Sequence, residues 1–298
     1  MTMKIKIRRK FASNLRQMAF GGNQGDERLV EQLTYDTDGH LMESKKWEDD
    51  GACETNTYVY NEHGKVIEHT MFLEPDDISE RFVMERDSQG RLLCETKYYG
   101  DDPGDKTVFE YGEWENPIRI SRYDPDGVLE TVESFEYDDS GNPVSHAKSD
   151  ATQKQLERSE IRYHENGKPS HKTLIGPGGN TAGSTELMYD EEGRVVRASE
   201  SNAEGKLISD VVSQYDERSN VILRHVRDFN TRVLRFEYNS NDQVVCEEIV
   251  DGNGNLILRN TMEYDTNGLL VSETEFWLDT GRGRGDGNSV SRYEYEFD

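Results

Sequence analysis

The residue types that could do chemistry are thinly spread along this chain. Seven histidines occur, His40, His63, His69, His146, His164, His171 and His225, and no HExxH or Ser/His/Asp pattern gathers any of them to one locus. Cys53, Cys94 and Cys246 are odd in number, far apart and free of any CxxC spacing, which reads as three free, buried thiols rather than a disulfide or zinc framework. The acid-rich stretches at Asp36, Asp124, Asp251 and Asp265 resemble calcium loops in composition. A calcium loop of the EF-hand type needs a bidentate Glu at its twelfth position, and counting on from each gives Trp47, Phe135, Met262 and Phe276. No metal site, cofactor or catalytic residue is therefore assigned, and the chain is expected not to be an enzyme.

What does recur is carboxylate. Glu85, Glu110, Glu136, Glu237, Glu263 and Glu294 each precede the same landmark in the sequence. Pairs such as Glu110 and Glu136 fall one repeat apart, which is roughly 9–10 Å across two strands of a sheet. Glu110, Glu136, Glu237, Glu263 and Glu294 are the candidate partner-binding residues. Arg282 and Arg284, in the glycine-rich stretch 281–288, join them as a rare basic loop. That stretch contains Arg-Gly-Asp but reads more simply as an enlarged hairpin loop.

The landmark is a repeat. Tyrosine followed by Asp or Asn, with Gly four residues after the tyrosine, is clearest at Tyr35, Tyr60, Tyr137, Tyr189 and Tyr264, and Tyr163 keeps the spacing with His164 in the second place. Degenerate copies begin at Arg86, Tyr111, Tyr215 and Tyr238, and a half-copy at Tyr295. Successive anchors lie 25, 26, 25, 26, 26, 26, 26, 23, 26 and 31 residues apart. Two residues before each anchor stands an apolar side chain, Ser213 excepted, so both share one face of a strand, and the glutamate between them faces the other way. The Asp or Asn after the anchor caps a turn, and Gly supplies the positive φ of a tight hairpin. Apolar pairs such as Val66-Ile67 and Leu92-Leu93 start the return strand, and a second turn follows about thirteen residues after the first. All seven prolines fall in or beside predicted turns, including an expected turn over Asp101-Asp102-Pro103-Gly104.

Composition sets limits on partners. The chain has 298 residues, 35 basic and 60 acidic, a formal charge of −25. Residues 26–298 hold all the acids and 29 of the bases, a net −31. Such a surface repels phosphate backbones, so nucleic acid is not expected as a partner. No apolar run approaches the length of a membrane-spanning helix, and no membrane association is expected. Residues 1–25 carry six bases and no acid but lack the apolar core of a signal peptide. With few cysteines, this implies a cytoplasmic protein. The alternation of Met3, Ile5 and Ile7 with Lys4, Lys6 and Arg8 predicts an edge strand in this basic N-terminal cap.

The Tyr-Asp-x-x-Gly pattern with its apolar pairs resembles the YD (tyrosine–aspartate) repeats of Rhs and Tc-type bacterial toxin proteins, over residues 30–298. The resemblance implies strips of hairpins that coil into a shell. This chain is far shorter than a shell-forming member and shows no self-cleaving core or toxin region. The expected fold is all-β: an elongated, coiled antiparallel meander of about ten 26-residue hairpin repeats, a YD-repeat solenoid or scroll. It would comprise the cap at 1–25 and the array at 26–298, with aromatic rings buried on one face. The expected function is that of an immunity protein whose acidic face binds a basic toxin domain. The alternative is an exported or surface scaffold that binds carbohydrate or host protein through exposed aromatics.

Overall fold

The computed structural model describes residues 4–14, 27–75, 77–278 and 287–298. Among them are 22 strands and no helix. The first eleven are β1 (Ile5–Asn14), β2 (Arg28–Tyr35), β3 (Leu41–Trp47), β4 (Cys53–Tyr60), β5 (Val66–Glu74), β6 (Ile78–Arg86), β7 (Leu92–Tyr99), β8 (Asp102–Tyr111), β9 (Pro117–Tyr123), β10 (Leu129–Tyr137) and β11 (Pro143–Asp150). The rest are β12 (Gln155–Tyr163), β13 (Pro169–Ile175), β14 (Thr181–Tyr189), β15 (Val195–Asn202), β16 (Leu207–Tyr215), β17 (Val221–Arg227), β18 (Thr231–Tyr238), β19 (Val244–Asp251), β20 (Leu256–Tyr264), β21 (Leu270–Trp277) and β22 (Gly287–Phe297). Every even-numbered strand but β6 and β22 ends on its anchor tyrosine. In β6 the anchor is Arg86, and β22 runs two residues beyond Tyr295.

Contacts divide the chain into two compact units. Unit one is Met1–Ile7, Glu31–Ser184 and Glu296–Asp298, and unit two is Arg8–Val30 and Thr185–Tyr295. Within each, strands pair antiparallel with their sequence neighbours. All 22 strands belong to one sheet, in which β1 pairs with both β2 and β22. The meander therefore closes on itself in hydrogen-bond connectivity. Two expectations are corrected here. An open solenoid or scroll would leave its terminal strands with unpaired backbone groups, whereas here the ladder has no such end. The N-terminal strand is likewise not an edge, because it is bonded on both sides.

The anchor turns follow one plan. At Tyr137, the Asp138 N–H donates to the Asn142 carbonyl (2.9 Å) and the Gly141 N–H to the Asp138 carbonyl (3.0 Å). Asp138 Oδ1 accepts the N–H groups of Ser140 and Asn142, both at 2.9 Å. Gly141 takes φ of 80°, which closes a hairpin with the twist the strands need. Asn61 and Asn239 cap their turns with the same two bonds. The turn expected over Asp101–Gly104 lies earlier: Tyr99 pairs with Asp102 and Tyr98 with Pro103, so Pro103 sits inside β8. The loop is the pair Gly100–Asp101, and Gly100 supplies the positive φ at 62°.

Eight of the anchor hydroxyls then reach back one hairpin. Tyr60 Oη donates to the Leu41 carbonyl (2.7 Å), Tyr111 to Leu92 (2.8 Å), Tyr137 to Pro117 (2.9 Å) and Tyr163 to Pro143 (2.7 Å). In unit two Tyr215 bonds Val195, Tyr238 bonds Val221, Tyr264 bonds Val244 and Tyr295 bonds Leu270. Every acceptor is the first residue of an odd-numbered strand. Arg86 does the same with its guanidinium, Nε donating to the Val66 carbonyl at 3.0 Å.

The rings themselves are half-buried rather than sunk in a core, which corrects the expectation of a buried aromatic face. Among the described residues the buried large apolar side chains are Cys94, Val250 and Tyr293, whereas several serines, such as Ser121 and Ser159, are buried in the sheet. Cohesion comes from the ladder, the hydroxyl stitches and side-chain rows across strands. One such row stacks Tyr58 on His69 (4.8 Å) and His69 on Phe82 (5.5 Å), with Lys97 above Phe82 and bonded to Glu80 at 2.8 Å. All three cysteines are free, but only Cys94 is buried, and Cys53 and Cys246 are half-buried.

Candidate functional site

The residue before each anchor points away from the tyrosine, and the opposite strand bulges beside it. Tyr137 pairs with Pro143 but Glu136 with Ser145, leaving Val144 as an extra residue. The same step leaves Leu93 beside Glu85, Ile118 beside Glu110, Val245 beside Glu237 and Val271 beside Glu263. In such a bulge two residues oppose one, so the second member of each apolar pair comes onto the glutamate face. Leu93 and Ile118 are exposed there, as are Met42 and Ile222 in the equivalent places and Val59, which replaces a glutamate.

Five of the predicted binding residues lie where the repeat put them. Glu110 and Glu136, with Glu85, form a run of three exposed carboxylates in unit one; Glu237, Glu263 and Glu294 form a second run in unit two. Glu110 is 3.4 Å from Arg119. Glu294 is bonded to Arg292, whose guanidinium also holds Glu27 (2.7 Å) and lies over Phe11. Glu85, Glu136, Glu237 and Glu263 make no hydrogen bond or ion pair among the described residues. Arg282 and Arg284 lie outside the described residues. The thiol of Cys246, opposite Glu237, is pushed up by burial first and by the nearby carboxylates second, so it stays protonated and a poor nucleophile.

The sequence reading missed two charge clusters. On the tyrosine face of unit one, Glu133 is bonded by Arg122 and by His146 Nε2 (3.0 Å), while Phe135 stacks on the His146 ring at 4.7 Å. Burial opposes charge on Glu133, but these two partners outweigh it and hold the carboxyl below its usual range. On the glutamate face of unit two, buried Asp210 accepts Arg197 Nε (2.7 Å) and Nη2 (3.2 Å) together with Ser199 Oγ (3.0 Å). The signal was present as separations of 11 or 13 residues, which make two side chains direct or diagonal neighbours across a hairpin. Arg259 and Glu248 repeat it at 2.8 Å.

The loop with the best metal-like grouping is Asp36, Asp38 and His40, whose ligand atoms lie within 4.8 Å of one another. Each is already engaged: Asp36 Oδ1 accepts two backbone N–H groups, Oδ2 meets His40 Nδ1 at 3.0 Å, and Lys4 Nζ stands 3.9 Å from Asp38. Hairpin capping accounts for these residues.

No protein-family model and no curated protein matches the sequence. Solved structures give distant likenesses. A porin-like protein from Bacteroides uniformis ATCC 8492 is 11% identical, with 98% of each chain covered and a TM-score of 0.36. The Photorhabdus luminescens Tc holotoxin pore is 13% identical over 96% of this chain, TM-score 0.33, and the TcdB2-TccC3-Cdc42 structure is 11% identical over 87%, TM-score 0.30. This chain spans 18% and 19% of those two chains.

Proposed function

We propose that this chain is a non-enzymatic, cytoplasmic binding protein of the YD-repeat kind, an immunity protein whose glutamate face holds a basic toxin domain. The observation that carries the reading is the pair of exposed glutamate runs, four of whose members are unpaired, interleaved with aliphatic side chains that the bulges bring to the surface. Unpaired carboxylates in a chain of net charge −25 create a field that draws in a cationic partner. Exposed Leu93, Ile118 and Val59 offer the apolar contact that a stable interface needs beyond charge. The alternative of an exported or surface scaffold that binds carbohydrate or host protein through exposed aromatics has less support, because the anchor rings are half-buried and eight of them direct their hydroxyls at backbone carbonyls.

The test is co-purification with the protein encoded by the neighbouring reading frame, followed by association kinetics at low and high salt. Reversing Glu110 and Glu136, or Glu237 and Glu263, to Lys should slow association by about tenfold or more and flatten its salt dependence. If the neighbour does not co-purify, or both reversals leave the kinetics unchanged, the reading fails.

A further inference from the structure

On the glutamate face of unit two, β15, β16 and β17 frame a cavity of about 350 Å³ lined by Arg197, Asp210, Val212, His225 and Arg227. The register assembles it from two cross-strand rows. Arg197, Val212 and His225 form one, and Ser199, Asp210 and Arg227 form the next.

The charges do not cancel. Asp210 is nearly inaccessible, with a side chain only 6% exposed, and it accepts two N–H groups of Arg197 and the Ser199 hydroxyl. Those three bonds fix the Arg197 guanidinium by one edge and leave its other N–H groups without a bond to Asp210. Arg227 is exposed, and it makes no hydrogen bond or ion pair among the described residues. His225 is half-buried in the same row as Arg197 and is likewise without a partner among them. One carboxylate therefore faces two guanidiniums and an imidazole, in a chain where acids outnumber bases 60 to 35.

The surrounding repeat yields at this place. The position before the anchor, glutamate in six copies, is Gln214 in β16 and Met188 in β14. The acid outside the cavity that acts on Arg197 is Glu186. Two guanidinium forks with free edges match the paired oxygens of a carboxylate or phosphate.

We propose that this cavity binds a small oxyanion group, a phosphate monoester or a carboxylate, between Arg197 and Arg227, with His225 as a third donor and Val212 as the apolar part of the wall. The proposal is independent of the partner reading above, since none of its residues belongs to the glutamate runs.

The full chain is titrated calorimetrically at low salt with inorganic phosphate and, separately, with malonate, while the His225 ring protons are followed by NMR. One saturable site with a Kd of about 1 mM or tighter for either probe is expected, with the His225 signals moving on the same curve. The stronger probe tells phosphate from carboxylate chemistry. Arg227→Gln should weaken it at least about tenfold. That variant is the deciding one, because the exposed Arg227 side chain makes no hydrogen bond or ion pair among the described residues and acts on Asp210 only through space, whereas Arg197→Gln strands buried Asp210. Arg218→Gln, which removes a charge elsewhere in the unit, should leave binding unchanged. No saturable heat with either probe, or equal binding by wild type and Arg227→Gln, overturns the proposal.

Discussion

Two side chains per repeat do most of the specifying, and they do it through hydrogen bonds rather than burial. The anchor hydroxyl ties its hairpin to the first carbonyl of an odd-numbered strand. Tyr137→Phe removes only the bond to Pro117 at 2.9 Å and should lower stability by about 1 kcal/mol, the usual worth of such a bond, as measured by urea unfolding. The capping carboxylates make stability depend on acid. The side chain four residues on donates to each of Asp36, Asp87, Asp138 and Asp251, and this, with the backbone N–H groups, holds those carboxyls below their ordinary range. A depressed folded pKa gives stability that is present above the unfolded value of about 3.9 and lost as pH falls through the folded one. The anchors act at the other extreme. Burial raises the phenols of Tyr60, Tyr111, Tyr137 and Tyr264, so their contribution is complete below about pH 10 and lost as pH rises through the folded values. Thermal unfolding followed across pH should therefore show a plateau with an acid limb below about pH 4 and an alkaline limb above about pH 10. Asp138→Asn should keep its cap at neutral pH, as Asn61 and Asn239 already do, and shrink the acid limb. A limb of unchanged size would show that the caps do not cause it.

At the scale of the hairpin, the fourth residue after the anchor decides how well the turn closes. Glycine takes positive φ freely, and a side chain there costs about 1–2 kcal/mol. Two degenerate copies accept this cost: Ser219 has φ of 70° and Asp242 φ of 60°. Ser219→Gly should raise the denaturation midpoint, by up to about 1 kcal/mol of stability, because its hydroxyl meets only Arg194 Nη1, at 3.3 Å. Gly141→Ala should cost more than Gly127→Ala. A Cβ at Gly141 would stand 2.7 Å from Trp114 Cε3, whereas at Gly127 it meets nothing within 4 Å, both positions having positive φ. Equal losses would mean that Trp114 simply moves aside. These turns were legible in the sequence because Asp, Gly and the anchor hold fixed places, and so was the glutamate face, since alternation alone assigns it. The bulge was not legible. The pair Leu92-Leu93 looks like two core residues, yet Leu93 is the extra residue on the exposed side. Nor were the Arg197–Asp210 and Glu133–His146 contacts legible, because a separation of 13 residues marks a cross-strand neighbour only once the register is known. The N-terminal strand misled for a related reason: alternating Ile and Lys describes a strand with one polar face, and says nothing of whether its backbone is paired.

For the whole chain, the property that sequence periodicity left open is whether the ladder ends. A meander of 22 strands with free first and last members would carry two long templates for pairing with other copies, the hazard that natural sheets cover or blunt. Here β1 covers both. In unit two its Lys10 lies near the Tyr293 ring (5.4 Å) and 3.5 Å from Glu273, to which the Tyr293 hydroxyl donates at 3.0 Å. Burial works against the Lys10 charge, but Tyr293 and Glu273 more than compensate and raise its pKa. In unit one the Asp298 N–H donates to the Lys4 carbonyl at 3.1 Å. The basic character of the N-terminal segment thus has a structural use, since it brings cations against the carboxylates and ring of the last two strands. Deleting residues 1–26 should strip both neighbours of their partner and leave β2 and β22 with unsatisfied edges. The shortened chain is expected to associate with itself in a concentration-dependent way in sedimentation experiments, with a lower unfolding temperature than the full chain. Adding back a synthetic peptide of residues 1–14 should suppress that association by restoring the missing strand, whereas a peptide of the same composition in scrambled order should not. A shortened chain as monomeric and as stable as the parent would show that the sheet does not depend on its closing strand.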